Sequence, residues 1–485
     1  MKRFMFARSS LAGAVFLLGG FLVGGMLAAQ AEDGDENRIF VDANGSFGGD
    51  GSRERPFRDV HSLTETLKQP TNTKTEVWMT GTFTEPLMLG SEMSGTADEP
   101  ILIKQWDSMP QAFFDMTNRP NQSGISYNGA SYITIDGLHA NASGSDVGSL
   151  PIFVNNSTGA IVRNGRFYGG GESGVCLSRS TNVLLEGNIF EDNEGNGILI
   201  PEVNGAIIRN NIIRNNSGDA FTAGISINAS TDVVIEGNII SGNGTNGIFA
   251  PGTMDLTIER NDITENGMNG INIWGISGEG RIINNRIAGN AVNGINLDSR
   301  DPATWSIAGN VLVANGAGGA SLKMTPDAVT LKLVNNTFLG NGSYGVHISH
   351  FQSYLNLYNN IFVGEEVAAQ LVTNRTERIE SDYNNLFGNM TDIQFAPSGQ
   401  PWKGLEDWKA LGKDAHSHRI NPKFSTERTC ITDGLCVSYH LSSTSPLINL
   451  GKRIGKGLEL DIDGQARIYN NRTDIGADEY MPEEI

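Results

Sequence analysis

Along the centre of this chain, apolar residues alternate with polar ones in short runs, and each run ends at Gly, Asn or Ser before the next begins. Alternation of this kind puts successive side chains on opposite faces of a strand. A representative stretch reads Gly224-Ile-Ser-Ile-Asn and then Val233-Val-Ile-Glu-Gly-Asn-Ile-Ile. The opening glycine recurs at 174, 197, 224, 247, 270, 294, 319 and 345, at intervals of 23 to 27 residues. An Asn before an apolar pair recurs at 188, 211, 238, 261, 285, 310, 336, 360 and 385, and a second Asn at 193, 216, 243, 266, 290, 315 and 341. Repetition at this period indicates a stacked solenoid.

Each period holds about three apolar runs with no helix-forming segment between them, which separates the chain from leucine-rich repeats. Three short strands per coil, joined by turns, give an all-β fold, a single-stranded right-handed parallel β-helix. Its coils stack about 4.8 Å apart with Ile, Val, Leu and Phe inward. The recurrent Asn side chains are expected to form internal hydrogen-bonded ladders from coil to coil, and so to belong to the scaffold. Residues 59–69 carry apolar positions at 60, 63 and 67 behind Asp59 as N-cap, which predicts a short helix capping the first coil. A second helix is expected over 401–412, with Trp402, Leu405, Trp408 and Leu411 on one face. The expected organisation is a leader over 1–31, an N-terminal cap with the first coils over 32–130, regular coils over 131–395, and irregular last coils with a C-terminal cap over 396–485.

The leader changes the picture of location and charge. Lys2, Arg3 and Arg8 precede an apolar run from Leu11 to Ala28, and Ala29-Gln30-Ala31 fits a cleavage site. The expectation is a protein that is secreted, on the cell surface or in the periplasm, with no membrane partner beyond that segment, which is either cleaved or, its apolar run being longer than a usual leader's, kept as an anchor. The whole chain has 35 basic and 54 acidic residues, a formal charge of −19. Loss of those three cations takes it to −22, which argues against nucleic acid as a partner. Cys430 and Cys436 flank a turn and suit a small disulfide loop, whereas Cys176 falls in an apolar repeat as a buried thiol. Asp42 to Asp50 and Asp461 to Asp463 are read as turns rather than cation loops.

Three segments carry a family resemblance. Phe40-Val-Asp-Ala-Asn-Gly-Ser with Pro56-Phe57 is similar to the opening of secreted bacterial β-helix proteins. So is Gly81-Thr-Phe-Thr-Glu with Ser94-Gly-Thr-Ala-Asp-Glu-Pro-Ile-Leu-Ile-Lys. Ser445-Pro-Leu-Ile-Asn, Asp461-Ile-Asp-Gly-Gln-Ala-Arg and Asp474-Ile-Gly-Ala-Asp-Glu-Tyr resemble their endings. With the coils, the resemblance to the pectate-lyase-like superfamily spans nearly the whole mature chain. It implies the fold, while lyases, epimerases, hydrolases and surface proteins share it, so activity has to come from a site.

Aligning the Gly-Ile strands locates one. The outward positions of coils 270 to 350 are Asn272, Trp274, Asn296, Asp298, Ser321, Lys323 and His347, with Arg300, Asp301 and His350 just beyond. An aromatic plate beside carboxylate, ammonium and imidazole suits an acidic polysaccharide or cell-surface glycan, bound by a monomer. The resemblance implies β-elimination on a uronate. Lys323 would be the base, Arg300 or His347 would hold the carboxylate, Trp274 would stack on a sugar, and Asn272, Asn296 and His350 would contact it. Asp298 and Asp301 would bind calcium. Alternatives are a non-catalytic carbohydrate-binding solenoid and a uronate C5-epimerase; for the latter, Asp301-Pro302 is followed by Ala303 where epimerases carry His. The aspartate motifs of polygalacturonase-type hydrolases do not occur.

Overall fold

The computed structural model describes residues 37–69, 75–117, 119–144, 148–219, 222–275, 277–324, 329–349, 353–373, 375–397, 399–432, 434–454, 458–469 and 471–482. The leader and His350 lie outside the described residues. From Asn37 onward the chain is one unit, a right-handed parallel β-helix built from three parallel sheets. In chain order within a coil, sheet 1 takes the Gly-Ile strand (Ser173–Ser178), sheet 2 the next (Thr181–Glu186) and sheet 3 a short third (Ile189–Glu191). Among the described residues sheets 1 and 3 each have 13 strands and sheet 2 has 14, and every strand pairs with its counterpart one coil on.

Inward positions form continuous apolar files. Ile198, Ile225, Ile248, Ile271 and Ile295 are fully buried on successive rungs of sheet 1, and Phe338 stacks on Phe362 at 4.7 Å between ring centroids. The turn from sheet 2 to sheet 3 is too tight for ordinary backbone: Asn210, Arg260, Asn284 and Asn335 take positive φ there, near 54°. Each is followed by a ladder asparagine. Asn261 donates from Nδ2 to Asn285 Oδ1 at 3.0 Å and to the Ile235 carbonyl at 2.9 Å, while its own Oδ1 accepts the Asn238 backbone N–H at 2.9 Å. Repetition of this set from Asn188 onward satisfies buried turn groups that strand pairing leaves orphaned.

The ladder's last rung is Asn384, not Asn385. Tyr383 takes the positive φ, and Asn360 donates to Asn384 Oδ1 at 3.1 Å. Asn385 starts the next strand and bonds the backbone of Ile420 instead. The second ladder runs from Asn193 to Asn341 and then passes to Glu365, whose two carboxylate oxygens accept from Asn341 Nδ2 and N, each at 3.0 Å. Close stacking of the coils explains the recurrent glycine. A Cβ on Gly247 would stand 2.6 Å from the Gly270 carbonyl and 2.9 Å from Asn266 Nδ2, so no larger residue fits.

The first helix forms over Val60–Leu67, capped by Asp59 accepting from the Ser62 N–H at 2.8 Å, with Val60, Leu63 and Leu67 buried. The second is shorter than the pattern suggests, Leu405–Ala410. Leu405 and Trp408 are buried, and Trp408 donates from Nε1 to Asp414 at 2.8 Å. Trp402 and Leu411 lie beyond the helix ends and are exposed, so only the i, i+3 pair Leu405 and Trp408 faces inward. Beyond it, the chain returns along the outside of earlier coils. Tyr439, Ile462 and Ala477 pack on Ala288, Val311 and Val313; Leu441, Leu447 and Ile475 pack on Ile361. Arg286 donates to the Tyr439 hydroxyl at 2.6 Å, and Asn359 to the Lys452 carbonyl at 2.7 Å. Cys430 and Cys436 are disulfide-bonded within this return segment, and Cys176 is buried, its thiol pushed up to about 12 by burial. Asp42, Asp50 and Asp461 each accept backbone N–H groups two residues on, as turn residues do.

Two outcomes test the ladders. Asn261→Ala strips partners from several buried groups at once and is expected to cost at least about 2 kcal/mol in urea unfolding. Burial pushes the Glu365 carboxyl up to about 8 from its ordinary 4.5, despite the lowering effect of Asn341. Its folded state holds the proton more tightly than the unfolded one, so this contribution is complete below pH about 4.5 and is lost as pH rises through about 8. Thermal unfolding is expected to fall across that window, with a shallower slope in Glu365→Gln.

Candidate functional site

The strands that carry the site are Ile271–Trp274, Asn293–Ser299, Gly318–Met324 and Tyr344–Ser349 of sheet 1. Ile271, Ile273, Ile295, Leu297, Leu322 and Ile348 turn inward and are fully buried. The intervening residues therefore face outward, in two registered rows. Asn272 pairs with Asn296, Asn296 with Ser321 and Ser321 with His347; Trp274 pairs with Asp298, Asp298 with Lys323 and Lys323 with Ser349. Strand pairing thus brings the predicted residues onto one face.

Their environments differ. Trp274 is 40% exposed and rests edge-on against Phe249 at 5.2 Å. Asn272 is 5% exposed and accepts from Asn296 Nδ2 at 2.8 Å, so it braces Asn296 more than it presents itself. Asp298 Oδ2 accepts from Arg300 Nη2 at 2.8 Å and from Lys323 Nζ at 3.3 Å. Burial acts to raise the Asp298 carboxyl, but the bonds from Arg300 and Lys323 outweigh it and hold the group below its ordinary value. Asp301 is exposed.

His347 belongs to a network that the glycine pattern conceals. Its Nδ1 lies 2.7 Å from Gln370 Oε1, and Gln370 Nε2 donates to Gln394 Oε1 at 3.4 Å. Tyr344 stands 5.4 Å from the imidazole, ring to ring, and its hydroxyl donates to Asn293 Oδ1 at 2.9 Å. Gln370 is missed by the glycine pattern because Ala368 stands where earlier coils have Gly. The step of 23 residues from His347 to Gln370 was the available signal. On earlier rungs of the same sheet face, Met88, Phe153, Cys176 and Leu199 line a cavity of about 710 Å³ rimmed by Asn128 and Asn228. It extends the outward surface toward the first coils.

Calcium requires six to eight oxygen ligands. At Asp298, Arg300 and Lys323 already occupy Oδ2, and Oδ1 is buried without a hydrogen-bond partner; this pair of aspartates offers a poor calcium cradle. Among the described residues the one group of three His, Cys, Asp or Glu side chains close enough for a metal is His440, Asp463 and Asp478, in the return segment. There His440 Nε2 is 2.8 Å from Asp463 Oδ2, and Arg286 donates to Asp463 Oδ1 at 2.8 Å.

A family described as a periplasmic copper-binding protein (NosD) matches residues 108–310. No curated protein matches the chain. Among solved structures, pectate lyase Pel9A is 15% identical, with 92% of this chain and 96% of that chain covered and a TM-score of 0.47. The A-module of the Azotobacter vinelandii mannuronan C-5 epimerase AlgE6 is 12% identical, with 70% and 96% covered and a TM-score of 0.42. PfbA, a surface adhesin of Streptococcus pneumoniae, is 10% identical, with 78% and 100% covered and a TM-score of 0.39. The likeness is one of fold, a right-handed parallel β-helix with pectate-lyase-like and epimerase-like neighbours. Copper favours imidazole, thiolate and thioether ligands. The His440 group has one imidazole and two carboxylates, one of them held by Arg286, and does not fit it.

The cations on Asp298, Arg300 and Lys323, are 64% and 41% exposed, and ion pairs to such groups contribute little to stability. Asp298→Ala is therefore expected to cost no more than about 1 kcal/mol in thermal unfolding, which leaves site function to be read without loss of fold.

Proposed function

We propose that this chain acts on a polysaccharide at the outward face of sheet 1, cleaving a uronate-containing glycan by β-elimination. One observation carries the reading: the row Trp274, Asp298, Lys323 runs beside the row Asn296, Ser321, His347, so aromatic ring, carboxylate, ammonium and imidazole share one strand face. A half-exposed indole offers a plate for a sugar ring. In the elimination a base takes the C5 proton, the electron pair of that bond forms the C4–C5 double bond, and the C4–O bond breaks as its oxygen takes up a proton. The substrate carboxylate must be neutralised for C5 to lose its proton.

The family resemblance makes Lys323 the base. Lys323 and Arg300 sit side by side on Asp298, which suits the two cations to holding the uronate carboxylate. The amide network supports His347 as the base instead. Gln370 donates to Gln394, so its oxygen accepts from His347 Nδ1, which fixes the imidazole's orientation on the strand face. Arg300 and Lys323 both sit on Asp298, which also favours a second reading, a non-catalytic glycan-binding face. An epimerase would share the proton abstraction and return the proton from the opposite side of C5. We place the protein outside the cytoplasm, on the basis of the leader and of the periplasmic description of the matching family.

Incubation of the mature protein with pectate, alginate and glycosaminoglycans, with calcium and with chelator, tests the proposal. The expected result is an unsaturated product seen by ultraviolet absorbance on at least one substrate. His347→Ala and Lys323→Ala are each expected to lower its rate at least about 100-fold, and Trp274→Ala to raise KM. No unsaturated product on any substrate, with glycan binding unchanged in Lys323→Ala, sinks the lyase reading. Inverted uronates detected by NMR without chain cleavage would select the epimerase.

A further inference from the structure

The outward face of sheet 2 carries a second concentration of chemistry, away from the sheet 1 rows. Where the return segment crosses it, a cavity of about 420 Å³ opens between Arg281, Ser306, Lys332 and Asn356 on one side and Lys452 and Arg453 on the other. The first four are consecutive rungs of one register row: Arg281 pairs with Ser306, Ser306 with Lys332, and Lys332 with Asn356. Arg281 and Lys332 are thus two coils apart, roughly 10 Å at strand spacing. Ile454 and Leu458 pack with Val334 and Tyr358 and form an apolar wall, and Lys452 Nζ lies 3.9 Å above the Tyr358 ring. The Tyr358 hydroxyl is engaged by Glu380 at 2.7 Å.

The charge balance here opposes that of the molecule. Four cations line the cavity against one carboxylate, Glu279, in a chain whose formal charge is −19. Lys332 makes no ion pair among the described residues, and neither does Arg453. Cations brought together with few counter-charges repel each other, and a bound anion relieves that repulsion. The hydroxyls of Thr304 and Ser306 and the amide of Asn356 add neutral hydrogen-bonding groups between the charges, as a ligand with its own hydroxyls requires.

We propose that this pocket is an oxyanion site for an acidic oligosaccharide, with Arg281 and Lys332 receiving carboxylate or sulfate groups spaced along the stack and Lys452 and Arg453 closing on them from the return segment. The choice of a sugar acid rests on the glycan reading of sheet 1; the anion site itself does not. It is a binding site that holds a glycan strand on a different sheet from the one proposed to cleave it.

Calorimetric titration of the full-length chain with tetragalacturonate, and in a second arm with a sulfated chondroitin tetrasaccharide, tests this. The wild type is expected to bind at least one of them, with affinity that weakens as salt rises. Lys332→Glu with Arg453→Glu is expected to weaken this binding at least tenfold, and Lys332→Gln to give a smaller loss at an unchanged melting temperature. Which arm responds identifies carboxylate or sulfate as the group recognised. Binding that survives Trp274→Ala, a change confined to sheet 1, separates this pocket from the proposed cleavage face. Absence of binding of either oligosaccharide, or equal affinity in the wild type and the double variant, overturns the proposal.

Discussion

The coils from Asn188 onward have to satisfy their polar backbone inside a dry stack, and the asparagine ladders are how they do so. Strand pairing takes care of the sheets, but the left-handed turn between sheets 2 and 3 carries the chain inward at the next residue and leaves N–H and C=O groups there that no strand reaches. A side-chain amide is a peptide group in miniature: it donates to one coil and accepts from the next, as Asn261 does with Asn285 and Asn238. At 247 a Cβ would meet the next coil's backbone carbonyl, the Ile263 side chain and the second ladder together, and at 319 and 345 a backbone carbonyl and a core Phe ring, so glycine follows. The two most conspicuous marks in the sequence both follow from how closely one coil sits on the next.

That is why the fold was legible and the site only partly so. Periodic residues answer to a periodic constraint, and the alternation read at Ile271 and Ile273 could only be satisfied by turning Asn272 and Trp274 outward. The register of the two rows followed from the same argument. What escaped reading was aperiodic. Glu365 replaces an asparagine within a ladder and still works because a carboxylate offers two acceptors to Asn341. Asn385 mimicked a rung because it adjoins the real one, Asn384. Gln370 was invisible without its glycine, and with it went the amide relay that fixes the imidazole of His347. The path of the segment after residue 411 depends on scattered contacts, such as Arg286 with Tyr439, that carry no local pattern.

The proposed cleavage face gains its character from pairing as much as from residue type. Asp298 serves as a shared counter-ion that keeps two cations close together on a surface where they would otherwise diverge. Tyr344 reaches across two coils to Asn293 while leaning on His347, and Asn293 in turn donates to Asn269. Side chains three coils apart are therefore positioned together, although each coil contacts only its neighbours through backbone.

A solenoid held together only by nearest-neighbour contacts frays from its ends, one coil at a time. The return segment alters that statistics. It is fastened at Arg286, Asn335, Asn359 and Asn385, sites a hundred residues apart in sequence. Peeling the last coil means first lifting a strand of chain from all of them. The C-terminal half is consequently laced, and its coils are expected to open together, whereas the first coils are covered by the helix Val60–Leu67.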